Sequence, residues 1–434
     1  MHNMAIKKKL KKLIPNKVFE VIEPTGHLLE SVLNASKAGF PAKSMRFIGV
    51  TGTNGKTTTA YLIHKMMVEA GYKTALMTTV AYGVDNEIKP QIAHMTTVSS
   101  AVLQKRLAEF KNQGAEWVVL ETTSHALAQH RIWGVPYEIA VMTNVSHEHL
   151  DYHKTFDRYV QAKVRLFKIT AKHGYRLGIS NADDPSVDAF TTAIGNNITY
   201  GIKSGDLRAK DILLNPGNCQ YRAEIDGDKY HIKCNIPGEF NVYNSLAAIA
   251  VGRRLGLTNQ QIEQGIEALT GVEGRMNVVL AGQAFTILVD FAHTPDSFEK
   301  LLNDIRLSTK GKLVVLFGSA GRRDESKRFI QGQIAGKYAD EVILTEEDDR
   351  DVDGNQILDQ IAEGAKSSGK IQDKDLFLEL DRTKAINFAM TRVANKDDTV
   401  LLLGKGHEKT IERADGEHPW DEVETAKKAV LRIK

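Results

Sequence analysis

Residues 46–60, RFIGVTGTNGKTTTA, constrain the fold more than any other stretch of this chain. The apolar run at 47–50 predicts a buried strand, and the apolar residues that follow the threonines are spaced to cover one face of a helix. Glycines, a lysine and a run of threonines lie between the two. This order is typical of a phosphate-binding loop, in which backbone N–H groups and a helix N-terminus hold a polyphosphate.

The polar residues of this loop have defined roles in that interpretation. Lys56 neutralises the phosphates, and Thr57 offers its hydroxyl to Mg²⁺. The predicted nucleotide-binding positions are Gly52, Thr53, Asn54, Gly55, Lys56, Thr57 and Thr58. The usual spacing asks for a glycine where this chain has Val50. The alternative, a glycine-rich turn with a surface lysine, is disfavoured by the strand and helix on either side.

Length and composition describe an ordinary globular protein. The 434 residues suffice for two or three domains, and the net charge of +3 is too small to indicate nucleic-acid binding. Cys219 and Cys234 lack metal-ligand spacing and favour a reducing compartment. Neither an apolar run of about 18 residues nor the pattern of a secretory signal is found. We therefore expect a cytoplasmic protein. A separate expectation, which does not follow from these observations, is that it is a monomer.

Residues 1–45 differ from the rest of the chain. Six lysines crowd the first 17 residues and are interleaved with isoleucines and leucines. A basic amphipathic segment of this kind can lie on an anionic membrane surface. It can also form a solvated helix packed on the next domain, which is the interpretation we prefer. The prediction for 1–45 is a short basic helical segment.

Strands and helices alternate from residue 46 onward, which predicts a doubly wound, mostly parallel sheet. The candidate strands are 47–51, 74–79, 117–122, 139–144 and 176–180. Residues 206–236 alternate polar and apolar side chains between turns and predict an antiparallel patch. Helices are expected again over 241–255 and 259–269.

The alternation restarts after Gly274. The candidate strands are then 286–291, 312–317, 341–345 and 399–403. The chain is therefore predicted to be an α/β protein, with a central phosphate-loop domain at 46–274 and a smaller Rossmann-like domain at 275–434. A cleft between two such domains is a common place for a substrate site.

Other strands of the first domain end in chemically active residues. The apolar run at 117–120 delivers Glu121, and a later apolar run delivers Asn144, with His149 shortly after it. Ligands bind at the carboxyl edge of a parallel sheet, so these residues should lie beside the phosphate loop. Mg²⁺ prefers oxygen, which makes Glu121 and Thr57 better ligands than His149. Alternatively, Glu121 merely caps the following helix.

Several motifs in fixed order resemble those of the Mur ligases. They are GTNGKTT at 52–58, ETTSHAL at 121–127, N-x4-HLDYH at 144–153, Y-x3-K at 159–163, GEFNVYN at 238–244, GRM at 274–276, DFAHTPD at 290–296 and GKGHE at 404–408. The resemblance covers residues 46–434. It is closest to the type that adds the third residue of the muramoyl peptide, the tripeptide synthetases.

The resemblance implies an ATP-dependent amide ligase of peptidoglycan biosynthesis. A substrate carboxylate attacks the γ-phosphate of ATP to give an acyl phosphate, and an amino group then displaces phosphate. Such chemistry depends on positioning and on neutralising charge. By resemblance, Thr57 and Glu121 hold one Mg²⁺ and His149 helps to hold a second. The implied catalytic residues are Lys56, Glu121, His149, Lys163 and Arg275.

Lys163 matches a lysine that is carbamylated by CO₂ in the family. The carbamate supplies an anionic oxygen to the metal, whereas an ammonium would be repelled. Only a neutral amine reacts with CO₂, so the pKa of this lysine must be lowered by burial or by nearby cations. Taken without the motif, Lys163 would be interpreted as a lysine on the solvated face of a helix.

The resemblance also implies the remaining ligand contacts. Asn241 and Asn244 match positions on the adenine side of ATP, and Arg275, Asp290 and His293 match positions near its phosphates. The positions that match the muramoyl-peptide site are Thr96, Thr97, Thr123, Gln129 and Arg131. The positions assigned to the pocket for the incoming amino acid are Arg323, Glu347, Asp348, Asp349, Arg350, Gly404 and Glu408. The alternative for Arg275, a surface arginine after a hinge glycine, is disfavoured by its position at the domain junction. Without the motifs, Arg323 would be interpreted as part of a basic surface loop.

Two departures from the family pattern concern the substrates. Met95 stands where the muramoyl-peptide site often has an asparagine. At the amino-acid pocket, the diaminopimelate-adding enzymes typically carry Asp-Asn-Pro-Arg, and this chain carries EDDR at 347–350. Arg350 suits a second carboxylate, whereas the added negative charge suits a plain ammonium. Both meso-diaminopimelate and lysine therefore stay open, and we favour diaminopimelate.

A third departure is the length of chain before the phosphate loop, since the family's uridine-diphosphate-binding domain is much longer than 45 residues. The acceptor then relies on the remaining domains, or its carrier differs, as in a lipid-linked precursor. Other hypotheses are a folylpoly-γ-glutamate or poly-glutamate ligase and a nucleotide-binding partner protein without catalysis. Retention of the five implied catalytic residues argues against the last of these.

Overall fold

The structure is a computed structural model that describes residues 16–91, 96–146, 148–215 and 217–433. Five of the six lysines near the start, and also Met95, lie outside the described residues. Within the described part of 1–45, a helix spans Asn16–Lys37 and a 3₁₀ turn spans Pro41–Ser44. Every helix in the described ranges is too short or too polar to cross a lipid bilayer.

The helices are numbered in chain order. They are α1 (Asn16–Lys37), α2 (Lys56–Glu69), α3 (Ser100–Asn112), α4 (Ser124–Ala128), α5 (Leu150–His153), α6 (Phe156–Thr170), α7 (Val187–Thr191), α8 (Glu239–Arg254), α9 (Asn259–Glu267), α10 (Pro295–Ser308), α11 (Ser326–Tyr338), α12 (Gly354–Ser367), α13 (Arg382–Thr391) and α14 (Glu422–Ile433). The helices predicted from 241 and 259 correspond to α8 and α9.

The strands are numbered in the same way. They are β1 (Arg46–Thr51), β2 (Thr74–Met77), β3 (Ala81–Val84), β4 (Glu87–Pro90), β5 (Trp117–Glu121), β6 (Tyr137–Met142), β7 (Leu177–Asn181), β8 (Asn196–Gly201), β9 (Leu207–Asn215), β10 (Asn218–Ile225), β11 (Asp228–Cys234), β12 (Asn277–Val278), β13 (Thr286–Asp290), β14 (Leu313–Phe317), β15 (Glu341–Leu344), β16 (Leu376–Leu378), β17 (Thr399–Leu403), β18 (Thr410–Arg413) and β19 (Gly416–Pro419).

The first sheet is built around β1, which pairs in parallel with β5 on one side and with β6 on the other. Parallel pairing continues from β5 to β2, and from β6 through β7 and β8 to the start of β9. This confirms the predicted parallel sheet. Its central strands are buried along nearly their whole length, as apolar strands covered on both faces should be. Phe47, Leu120 and Phe167 belong to one hydrophobic cluster beside it.

One edge of this sheet is an antiparallel extension that the sequence analysis missed. Strand β3 pairs with β2, and β4 pairs with β3. The turn between β2 and β3 is closed by Thr78, whose N–H and hydroxyl both donate to the carbonyl of Ala81, at 2.9 and 3.1 Å. Because β4 is mostly exposed, its side chains carry no apolar alternation that could mark it as a strand.

The second sheet has six strands in the order β12-β13-β17-β14-β15-β16. Strand β12 is antiparallel to β13, and the other neighbours are parallel. The four strands predicted for this region are confirmed as β13, β14, β15 and β17. The hairpin of β18 and β19 was not predicted. Val314, Leu316 and Leu402 are fully buried in the core of this sheet.

The chain divides into two compact units. The first consists of Met1–Lys210, Ala223–Tyr230 and Tyr243–Ala268, and the second consists of Asp211–Arg222, His231–Val242 and Leu269–Lys434. The phosphate loop belongs to the first unit and the six-stranded sheet to the second. Each unit has its own set of candidate functional residues.

Candidate active site

The loop between β1 and α2 has the backbone shape that its glycines permit. Gly52 has a φ of 152°, and a Cβ atom there would lie 1.9 Å from Thr143 Oγ1. Gly55 has a φ of 80°, and a Cβ atom there would lie 2.3 Å from Asn244 Oδ1. Only glycine fits these two positions without strain. Helix α2 then begins at Lys56, so its N-terminal N–H groups border the loop.

The end of β6 holds the loop from the neighbouring strand, as the predicted sheet edge requires. The N–H of Thr53 donates to the carbonyl of Asn144 at 2.7 Å, and the N–H of Asn54 donates to Asn144 Oδ1 at 3.0 Å. The hydroxyl of Thr143 and the side-chain amide of Asn144 both donate to the carbonyl of Asn54. Lys56 Nζ donates to the carbonyl of Thr53 at 2.6 Å. Contacts within the protein therefore fix the shape of the loop.

Glu121 ends β5 directly beside this loop. Its register partner on β1 is Val50, and its side chain is 1% exposed. The hydroxyl of Thr57 donates to Glu121 Oε2 at 3.0 Å, so the two oxygen donors predicted for Mg²⁺ are in contact. The alternative role of Glu121 as a helix cap is wrong, because the side chain that caps α4 is that of Thr123.

Thr79 is a third contact of Glu121, and the sequence analysis did not identify it. Its N–H and its hydroxyl donate to Glu121 Oε2 at 2.9 and 3.1 Å. Thr79 lies at the tip of the turn between β2 and β3, which brings it to the carboxyl end of β5. This role depends on the turn between β2 and β3, and the sequence pattern did not reveal that turn. Thr79 thereby orients the carboxylate of Glu121.

Lys163 lies in α6, and its side chain is 1% exposed. Its amine donates to the carbonyl of Gly52 in the phosphate loop at 2.5 Å and lies 4.4 Å from the centre of the Tyr159 ring. Burial, reinforced by the positive charge of Lys56, lowers the pKa of Lys163 well below its usual value. The interpretation of Lys163 as a solvated lysine is therefore wrong.

His149 lies at the rim of this site. It is exposed, has a left-handed φ of 56°, and its ring centre is 4.7 Å from that of His125. Its Nε2 atom lies 3.7 Å from Glu148 Oε2. In the described part of the chain, no three His, Cys, Asp or Glu side chains converge as a metal centre. A metal ion here would therefore take further ligands from outside this set, such as phosphate oxygens.

Four of the five positions predicted for the acceptor form one connected group next to Glu121. The hydroxyl of Thr97 donates to the carbonyl of Glu121 at 3.0 Å and accepts from the N–H of Thr123 at 3.0 Å. Arg131 donates to the carbonyl of Thr97 at 2.8 Å and to the side-chain oxygen of Gln129. Burial lowers the pKa of Arg131. Thr96 adjoins the group along the chain.

The two asparagines predicted for the adenine side lie on α8 and are buried. Asn244 Oδ1 accepts from the hydroxyl of Thr59 on α2 at 3.1 Å, next to the point where Gly55 approaches it. Asn241 donates from Nδ2 to the carbonyl of Pro237 at 2.6 Å. Asn244 is therefore tied to the phosphate loop, as a nucleotide contact should be.

In the second unit, Asp290 organises the residues predicted to approach the phosphates. Its carboxylate accepts the N–H groups of Met276 and Ala292 at 2.8 and 2.7 Å. Burial raises the pKa of Asp290, and Arg275 opposes that shift. The Arg275 guanidinium lies 4.9 Å from the centre of the Phe291 ring, and its Nε is a buried atom without a hydrogen-bond partner among the described residues.

His293 is fixed close to this group. Its Nδ1 lies 2.9 Å from the carbonyl oxygen of Phe291, and its ring centre is 4.8 Å from the Phe291 ring. The carbonyl of His293 accepts from Lys327 and Gln331 of α11 at 3.3 and 2.9 Å. Arg275, Asp290 and His293 therefore share one neighbourhood around Phe291.

The residues predicted for the amino-acid pocket converge at the carboxyl ends of β15 and β17. Buried Lys405 donates to Asp348 Oδ1 at 2.8 Å and to Glu408 Oε2 at 2.7 Å. Gly404 has a φ of 97°, and a Cβ atom there would lie 2.6 Å from Glu347 Oε2. The structure thus joins Asp348 to Glu408 through a lysine to which the sequence analysis gave no role.

The other members of this set differ in their surroundings. Burial and the charges of Glu346 and Glu347 raise the pKa of Asp349 to about 6. Arg350 has a left-handed φ of 60° and donates from Nη1 to the carbonyl of Gly321 at 2.8 Å. Arg323 is exposed on the loop before α11. The pocket wall is therefore rich in carboxylates, with its arginines at the margin.

Comparison with known families identifies matches over most of the chain. Residues 50–252 match the Mur ligase middle domain, and residues 274–406 match the Mur ligase, glutamate ligase domain. The UDP-N-acetylmuramyl-tripeptide synthetase of Roseiflexus sp. (strain RS-1) is 37% identical over 424 residues, covering 94% of this chain and 83% of that protein.

Two further comparisons agree with these. The UDP-N-acetylmuramoyl-L-alanyl-D-glutamate--2,6-diaminopimelate ligase 1 of Clostridium acetobutylicum is 34% identical, covering 98% of this chain and 86% of that protein. A solved structure of a UDP-N-acetylmuramoyl-L-alanyl-D-glutamate--2,6-diaminopimelate ligase superposes with a TM-score of 0.68 at 29% identity. That match covers 95% of this chain and 83% of the solved one.

Proposed function

Because this chain belongs to the Mur ligase family, we propose that it is an ATP-dependent amide ligase that adds a dibasic amino acid to a muramoyl-Ala-γ-Glu peptidoglycan precursor. The names of its relatives favour this step over folylpoly-γ-glutamate synthesis. The observation that carries the proposal is the buried amine of Lys163 against the phosphate loop. A protein that only bound nucleotide would have no use for such a group.

The phosphate loop supplies the positioning. The N–H groups at the start of α2 and the side chain of Lys56 hold the β- and γ-phosphates, once Lys56 leaves the carbonyl of Thr53. The acceptor carboxylate, held beside Thr97, Thr123 and Arg131, attacks the γ-phosphorus, and ADP departs. The amino group of the incoming residue then attacks the acyl phosphate, loses a proton and expels phosphate.

A divalent cation fits the residues beside the loop. The Thr57 hydroxyl and the Glu121 carboxylate lie next to each other, and both are the hard oxygen donors that Mg²⁺ prefers. His149 is the proposed protein contact of a second ion. Bound Mg²⁺ would neutralise the phosphate charge that develops during transfer. Thr79 keeps the Glu121 carboxylate oriented toward that position.

Carbamylation of Lys163 is part of the proposal. The lowered pKa of Lys163 supports it, because only the neutral amine is a nucleophile toward CO₂. The nitrogen forms a bond to the carbon of CO₂ and releases one proton, which leaves a carbamate of charge −1. That negative charge offsets the positive charge of nearby Lys56, whereas a protonated Lys163 would repel it.

The proposed ligands are assigned to two consecutive parts of the chain. Residues 46–274 bind ATP and the acceptor, and residues 275–434 bind the incoming amino acid. Arg275, Asp290 and His293 contribute to ATP binding from the second part. A planar guanidinium with an unused buried Nε, as in Arg275, is suited to phosphate oxygens.

Phosphate release tests the function directly. Purified protein, ATP and UDP-N-acetylmuramoyl-Ala-γ-Glu should release phosphate only when meso-diaminopimelate or lysine is added. Lys163→Ala should abolish release and retain nucleotide binding, whereas Lys168→Ala, an exposed lysine on the same helix, should behave as wild type. Release by Lys163→Ala at the wild-type rate would contradict the proposed role of this lysine.

The proposal extends to association with membranes and with other copies of the chain. The hypothesis of peripheral membrane contact rests on residues 1–17, nearly all of which lie outside the described residues. Deleting 1–17 should lower binding to anionic liposomes, and unchanged binding would contradict the hypothesis. We also propose that the protein is a monomer, which light scattering of the purified protein would test.

A further inference from the structure

The hairpin of β18 and β19 is fastened to the loop that follows β15, in the predicted amino-acid pocket. The N–H of Arg350 donates to the carbonyl of Glu412 at 3.0 Å, and the N–H of Glu412 donates to Asp348 Oδ1 at 2.8 Å. Arg413 makes a two-pronged contact with the carboxylate of Glu346, both bonds being 2.8 Å long. The hairpin therefore fixes this wall of the pocket.

The side chain of Glu412 pairs with Arg350. Arg350 Nε donates to Glu412 Oε2 at 2.7 Å, and the exposed fractions of the two side chains are 21% and 45%. Arg350 is the arginine that the sequence analysis assigned to a second carboxylate of the substrate. Its positive charge is already matched by Glu412, so a substrate carboxylate meets a neutral pair rather than a free cation.

Carboxylates outnumber cations in the rest of the pocket wall, where Arg413 pairs with Glu346 and Lys327 lies near Glu347. Lys405 is shared between Asp348 and Glu408, which leaves one cation for two carboxylates. Glu347 is buried, and the carboxyl of Asp349 has a pKa of about 6 because of its burial and its acidic neighbours. Asp349 is therefore ionised at neutral pH. Such surroundings stabilise an ammonium at the end of a substrate side chain and disfavour a carboxylate there.

We propose, on the premise of the ligase function above, that Glu412 is a specificity-determining residue of the amino-acid pocket. By neutralising Arg350 it weakens the pocket's attraction for a second carboxylate, so that amino acids whose side chains end in an ammonium compete with diaminopimelate. The family motifs do not include Glu412, and its role follows from the contact with Arg350.

The experiment compares kcat/KM for meso-diaminopimelate with kcat/KM for L-lysine in the phosphate-release assay. Glu412→Gln keeps an acceptor for Arg350 Nε and restores the charge of the guanidinium. It should shift the ratio of the two values toward diaminopimelate by about threefold to fivefold, the size expected for a partly exposed ion pair. Glu412→Asp, which keeps the charge, should leave the ratio near that of the wild type.

Glu417→Gln is the matched control, because Glu417 lies opposite Glu412 in the hairpin and is exposed. It makes the same change in net charge and should alter the ratio by less than twofold. A ratio that is unchanged in Glu412→Gln, or that moves toward lysine, would overturn the inference and leave the ligase function standing. Lack of turnover with either amino acid in the wild type would overturn the proposed function together with the inference built on it.

Discussion

The buried ion pair between Arg382 and Glu422 allows a quantitative test of what holds the second unit together. Both side chains are fully buried, and the guanidinium donates from Nε and Nη2 to the carboxylate at distances of 2.6 to 3.2 Å. Arg382 also donates to the carbonyls of Leu403 and Glu346, at 2.8 and 2.9 Å, and the indole N–H of Trp420 donates to Glu422 at 2.7 Å. The pair thus ties α13 and α14 to the ends of β15 and β17.

Removing one partner of this pair leaves the other as an uncompensated buried charge. We expect Glu422→Gln to lower the free energy of unfolding by about 3–5 kcal/mol, because the amide carries no charge and presents N–H groups to a cation. Arg382→Met should have a similar effect. The double variant Arg382→Met with Glu422→Leu should lose less than either single variant, since it buries no charge at all.

Equilibrium unfolding in urea measures these differences, followed by tryptophan fluorescence and by far-UV circular dichroism. Glu424→Gln is the control, since it breaks a pair with Lys427 that is 2.7 Å long but exposed, and it should cost no more than about 1 kcal/mol. A loss below about 1 kcal/mol for Glu422→Gln would refute the reasoning. So would a double variant as unstable as the sum of the two single variants.

Three further predictions concern the first unit. Thr79→Val should weaken Mn²⁺ binding in the presence of ADP by about 0.5–1.5 kcal/mol, because it removes the hydroxyl that donates to Glu121. Electron paramagnetic resonance measures this affinity, and Thr79→Ser should bind Mn²⁺ nearly as the wild type does. Equal affinity in the two variants would contradict the role given to this hydroxyl. Gly55→Ala should weaken ATP binding measured by calorimetry, because the φ of 80° and the contact with Asn244 leave no room for a Cβ atom. Unchanged affinity would contradict the claim that only glycine fits this position. Burial lowers the pKa of His64 to about 4, so the unfolded state binds the proton more tightly than the folded state. The free energy of unfolding should therefore fall by about 1.4 kcal/mol per pH unit as the pH drops from 6.5 toward 4. His64→Gln should remove this part of the pH dependence in urea titrations, and a pH profile identical to that of the wild type would contradict the prediction.

The sequence was sufficient to predict the structure where the local residue pattern and the fold agree. The strands that carry the candidate site are continuous apolar runs, so their positions and parallel pairing could be predicted. The contact between Thr57 and Glu121 followed from the rule that strand ends share one edge of a sheet. The resemblance to a family added the positions of Lys163 and Arg275.

Other features depend on tertiary contacts that no local pattern records. The role of Thr79 requires the antiparallel turn between β2 and β3, and β3 is only four residues long and pairs on its far side with the exposed strand β4. The burial of Lys163 depends on the packing of α6 against the loop, since a lysine on an amphipathic helix is ordinarily exposed. Lys405 and Glu412 acquire their partners from segments about 60 residues away.

The tethering of the phosphate loop by Thr143 and Asn144 has a kinetic consequence. Its backbone groups are held by the neighbouring strand, so the entropy of ordering them is lost when the protein folds and not when nucleotide arrives. Lys56 is the part that must move, by exchanging the carbonyl of Thr53 for a phosphate, and a side-chain rotation of that kind takes nanoseconds. The encounter rate of nucleotide with the loop is then governed by diffusion and charge rather than by rearrangement of the backbone.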